Sequence, residues 1–129
     1  MPPTSALVAA TVATLILCAL AVLQACVAAG APWGRFVWGG AHRVLPRRLR
    51  IGSAISVVLY AAFAVVLLSR AGALPGGDST AVAVITWVLF GYFVVGIAMN
   101  AVSRSRAERL TMTPACAALA AATLVVALS

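Results

Sequence analysis

The side chains able to do chemistry are concentrated in one stretch, GAPWGRFVWGGAHRVLPRRLR, over Gly30–Arg50. It carries five of the nine arginines, the single histidine and two of the three tryptophans. Guanidinium groups bind phosphate or carboxylate with paired, charge-assisted hydrogen bonds. Trp33 and Trp38 suit the boundary between lipid headgroups and tails. Glycines at 30, 34, 39 and 40 let the segment fold back against a membrane surface. Trp33, Arg35, Trp38, His42, Arg43, Arg47, Arg48 and Arg50 are therefore the candidate contacts for a lipid headgroup or another anionic ligand.

Other chemistries lack their residues. The carboxylates are Asp78 and Glu108, which the apolar pattern places in loops on opposite sides of a membrane. That separation excludes a paired-carboxylate mechanism. It also leaves no ionisable residue inside a span, where proton-coupled transporters usually hold one. Cys18, Cys26 and Cys116 lie in apolar runs with no C-x-x-C pair, so neither zinc nor haem has a recognisable ligand set. No glycine pattern matches a phosphate loop. The expectation is a non-enzymatic chain with no cofactor and no metal site.

The elements that must position the basic stretch follow from composition. Hydrophobic residues make up 64% of 129 and charged residues 9%, against about 25% charged in a soluble domain. The alternative solvent is lipid. Four apolar runs reach spanning length, at about 5–29, 50–70, 79–103 and 113–129, with the basic loop at 30–49. The fold class expected is all-α, with four transmembrane helices in an antiparallel bundle forming one membrane domain over 1–129.

Local signals mark the helix ends. Pro46 suits the first turn of the second helix. Asp78 or Ser79 caps the third. Ser105-Arg-Ala-Glu108 has capping-box spacing and suggests a short interfacial helix, after which Thr113-Pro114 reads as the start of the fourth span. Leu23-Gln-Ala-Cys26 resembles a lipidation signal, but Met1–Ala10 carries no positive charge, so an uncleaved chain is expected.

Eight arginines fall in the first and third connections, on one side of such a bundle; the other side has Arg70 alone. Arginine excess marks the cytoplasmic face, which places both termini outside a bacterial inner membrane. Topology also explains the basic pI of 11.2 without nucleic acid, for which only a small loop is available.

Gln24, Ser53, Ser56, Asn100 and Ser103 come out at similar depths, roughly 6–9 Å inside the arginine-rich boundary. They are the candidate intramembrane polar layer, joining helices by hydrogen bonds or flooring a cavity. Tyr60 and Tyr92 share a second level, where each hydroxyl needs a partner. Trp87, Phe90 and Phe93 form a stripe that reads as packing.

Gly30–Gly52 and Asn100–Pro114 (NAVSRSRAERLTMTP) resemble segments of small four-helix bacterial membrane proteins of unassigned function. The resemblance implies the fold and brings no catalytic residue. The chain lacks the membrane-embedded Glu of small multidrug exporters and the C-x-x-C of quinone-reducing membrane enzymes. Functionally, the first expectation is a protein that binds anionic lipid or a membrane-protein partner through the basic loop. The alternative is an oligomeric small-solute transporter or channel built around the polar layer.

Overall fold

The computed structural model describes residues 4–129. Among them are four helices and no strand: α1 Thr4–Ala28, α2 Arg47–Arg70, α3 Thr80–Ala101 and α4 Arg106–Ala127. Each is long and apolar enough to cross a membrane. The shorter ones, at 22 residues, extend ~33 Å at ~1.5 Å per residue, against a hydrocarbon core of about 30 Å. Large apolar side chains such as Leu15, Ile55, Val58 and Val88 point outward, as they do on helices surrounded by lipid.

The helix ends are set by short-range chemistry. Pro46 stands one residue before α2, in extended backbone, and its carbonyl accepts from the Leu49 and Arg50 amides at 3.0 Å each. Ser79, not Asp78, caps α3, its hydroxyl accepting from the Ala81 amide at 3.2 Å. At the α2/α3 turn Gly72 and Gly76 take positive φ, and Arg70 holds the turn by donating to the Gly77 carbonyl at 3.0 Å.

The fourth helix differs from expectation. It begins at Arg106 and runs unbroken through Pro114, so the interfacial helix and the fourth span are one element. Ser105 is its cap, accepting from the Glu108 amide at 3.3 Å. Pro114 lies within the helix as an interior proline that removes one backbone donor. Apolar helices tolerate this because neighbouring groups and small backbone adjustments satisfy the freed carbonyl. Glu108 is consequently a helical residue, not a loop residue, and it is only 7% exposed.

Packing is uneven around the bundle. α1 lies close against α2, α3 close against α4, and α1 joins the two pairs through α4. α2 and α3 touch least among these neighbours. The α1 seam is made by Ala6, Ala10, Ala13 and Leu17, all essentially buried, whose three- and four-residue spacing puts them on one face. Small side chains let backbones approach, and dispersion then holds the helices together. Where α2 and α3 do meet, Phe63 stands edge-on to Tyr92 at 5.5 Å and to Phe93 at 6.0 Å between ring centroids.

Candidate functional site

The first connection is a folded cap over the arginine-rich end of the bundle. Val27, Val37 and Leu45 form a small buried cluster, supported by Leu23, Phe36 and Leu49. Two 3-10 turns, Gly34–Phe36 and Trp38–Gly40, shape the segment. The Gly34 amide donates to the Arg43 carbonyl at 2.9 Å, closing it into a ring. A side chain at Gly34 would overlap the His42 carbonyl oxygen, so a glycine is required there by space alone.

Three hydrogen bonds tie the cap to α2 and to the start of α4, and a fourth joins the two helices that flank it. Arg50 Nε donates to the Ala28 carbonyl at 2.8 Å, where a cation complements the C-terminal end of α1. Trp38 Nε1 donates to the buried Ser53 hydroxyl at 2.9 Å, and its ring lies against Gly52. Trp38 has a φ of +51°, a left-handed backbone that costs a non-glycine residue ~1–2 kcal/mol; its indole contacts hold it there. Finally the first turn of α4 grips the cap. Ser105 Oγ donates to the Arg35 carbonyl, and the Gly39 amide donates to Glu108 Oε2 at 3.3 Å.

Beneath the cap lies a cavity of about 380 Å³. Phe36, Val37 and Trp38 roof it, and Gln24 and Tyr60 reach it from α1 and α2. Tyr92, Gly96, Met99 and Asn100 face it from α3. From α4 come Glu108, Met112, Cys116 and Leu119, spaced to share one helix face once α4 is continuous. Asn100 Nδ2 donates to the Gly96 carbonyl at 2.8 Å and to Cys116 Sγ at 3.4 Å. Gln24 Oε1 is buried and accepts no hydrogen bond among the described residues.

The five candidate polar-layer residues divide between two environments. Gln24 and Asn100 share the cavity wall. Ser53 binds Trp38, Ser56 donates back to the Gly52 carbonyl at 3.0 Å, and Ser103 Oγ accepts from the Ser105 amide at 3.2 Å. Tyr60 and Tyr92 both line the cavity and are connected through the Phe63 ring. The aromatic stripe is split, with Phe93 in the core and Trp87 outside.

Of the basic-loop candidates, Arg35, Arg43, Arg47 and Arg48 are exposed and His42 is half-buried. Trp33 and Trp38 are about half-exposed at the same end. Arg35 lies over the Phe36 ring at 4.8 Å. A helix start at Pro114 separates Glu108 and Met112 from Cys116 and so hides the face that the continuous α4 gives them in common. The capping-box spacing was the available signal, since its Glu belongs to the first helical turn.

Comparison with known protein families, with curated proteins and with solved structures gives no match.

Proposed function

We propose that the protein is a non-enzymatic membrane protein that holds anionic lipid headgroups on its capped, arginine-rich face. Both termini then lie outside a bacterial inner membrane. One observation supports this reading above others: Arg43 projects from a cap tied to α2 and α4, and Arg47 and Arg48 project beside it from the first turn of α2. Arginines on a fixed frame lose less conformational freedom on binding than arginines on a floppy loop. Topology alone would need the charges but not the folded support. Trp33 and Trp38 at the same end add the amphipathic rings that anchor such a face at the headgroup level.

The test replaces Arg43, Arg47 and Arg48 together by Gln, leaving Arg50 to cap α1. Headgroup attraction should fall by roughly 3 kcal/mol, about 1 per arginine. Lipid that co-purifies should shift away from anionic species, and high salt should reproduce the shift, because exposed charges are screened within about 10 Å at 0.1 M. An unaltered lipid profile would leave these arginines as topology signals only, or as contacts for a protein partner.

A further inference from the structure

We propose that the cavity under the cap is a binding site for a membrane-dissolved amphipath with an ammonium head, entered sideways between α2 and α3. This goes beyond headgroup binding at the arginines and shares with it only the membrane setting of the helices.

The gradient of exposure shows the way in. Val95 and Met99, at the rim, are 61% and 67% exposed, whereas Glu108 at the inner wall is 7% exposed. The rim is apolar, the cap roofs the water-facing end, and α2 packs far less closely on α3 than on α1. A molecule reaching Glu108 by that route comes out of lipid with its polar end leading. At about 380 Å³ the space falls in the ~300–1,000 Å³ range of small-molecule sites. It takes a head and the first part of a chain, and the remainder of the chain stays in the seam.

The lining selects the head. The charged group in the lining is the Glu108 carboxylate; Gln24 Oε1 and the Asn100 carbonyl add neutral acceptors, and the Tyr60 and Tyr92 hydroxyls can donate or accept. Among the described residues no arginine and no histidine lines the cavity. The Glu108 carboxylate receives one hydrogen bond among the described residues, from Gly39, which leaves acceptor capacity for a second donor. An ammonium supplies three donors and a charge opposite to the carboxylate. The Tyr60, Tyr92 and Phe93 rings line the same cavity and offer apolar surface to the chain that follows the head. A fatty acid would bring a second carboxylate to a site without a cation, and an alcohol supplies only one donor. The arginines of the cap are exposed to solvent and screened there.

The test uses the full chain in nanodiscs of zwitterionic lipid at neutral pH, with radiolabelled dodecylamine, dodecanol and dodecanoate and empty nanodiscs as the blank. Dodecylamine should bind saturably at one per protein, and the other two should show partitioning alone. Glu108→Gln should weaken amine binding by about tenfold or more, the scale of one hydrogen bond to a charged group. Because Glu108 also holds the cap, Gln24→Leu provides the independent arm. It should weaken the amine severalfold while leaving hydrogen exchange at the Gly39 amide unchanged, since Gln24 takes no part in the Glu108–Gly39 contact. The Arg43/Arg47/Arg48→Gln variant should bind dodecylamine undiminished, whatever happens to its anionic lipid. Equal binding of the three amphipaths, or amine binding indifferent to both Glu108→Gln and Gln24→Leu, overturns the proposal.

Discussion

The Gly39 amide and the Glu108 carboxylate meet at 3.3 Å although 69 residues separate them. In an ordinary capping box the acidic residue turns back to the amide of its own cap. Here the Ser105 amide is taken by Ser103 Oγ at 3.2 Å, so the Glu108 side chain is released to reach across to the first connection. Ser105 adds a second grip by donating to the Arg35 carbonyl while still accepting from the Glu108 amide. One turn of helix thus caps itself and clamps the segment that roofs the cavity.

The clamp predicts a graded series. Glu108→Gln keeps an acceptor for Gly39 and loses only the charge, so it should cost about 1 kcal/mol; Glu108→Ala leaves the amide without its partner and should cost roughly 1.5–3 kcal/mol. Ser105→Ala should lose ~1 kcal/mol as a helix cap and a similar amount from the Arg35 contact. Thermal unfolding in detergent measures the sums. Hydrogen exchange at the Gly39 and Gly40 amides should speed up in all three variants before the helices open.

Two glycines of the cap should respond unequally to the same change. Gly39 has a φ of +75° and open space around it, so Gly39→Ala should cost only the ~1–2 kcal/mol of a left-handed backbone. At Gly34 the added methyl would overlap the His42 carbonyl and break the 2.9 Å closure to Arg43. That places Gly34→Ala at or above the ~3 kcal/mol upper end of overpacking. Thermal unfolding ranks them directly, and equal losses would show that the cap is not closed through Gly34.

The spans were legible because a chain so poor in charge has no other way to cover its helices, and the loop glycines signalled a fold-back. What local pattern missed depends on partners distant in sequence. Ala25/Ala29 and Ala118/Ala122 have the spacing of a close-packed seam, yet Ala25 and Ala29 are exposed and Ala6, Ala10 and Ala13 make the contact. An alanine-rich chain offers many such pairs, and only the neighbouring helix decides among them. Gln24 and Asn100 were legible as polar residues at one depth. Their sharing of a wall with Glu108 was not, because Pro114 hid the helix that carries the acid inward.

Pro114 itself supplies a prediction. It lies inside α4 without a backbone N–H for the Leu110 carbonyl. Pro114→Ala restores that donor and removes a ring clash, so it should stabilise α4 by about 1–3 kcal/mol. A rise in melting temperature is the expected result. A fall would mean that a bend at Pro114 is needed to bring Glu108 to Gly39, and the Gly39 amide would then exchange faster in the same variant.

Orientation is the remaining prediction, and it tests the frame on which the headgroup and cavity proposals both stand. The cap and the start of α4 touch through Arg35 and Ser105, so the first and third connections lie at one end of the bundle. With the first turns of α2 and α4 they carry eight arginines, against Arg70 at the other end. If these helices cross a cell membrane, an imbalance of that size retains the arginine-rich end in the cytoplasm. Arg43→Cys and Arg106→Cys, each in a background with Cys18, Cys26 and Cys116 replaced by Ala, leave seven arginines there and should not change the outcome. Both new thiols sit at exposed positions and should react with a membrane-impermeant maleimide only after the cells are opened. A cysteine at exposed Asp78, beyond the opposite ends of α2 and α3, should react in intact cells. Labelling of position 43 or 106 from outside would reverse the assignment, and the arginines of the cap would then face the outer leaflet rather than the anionic inner one.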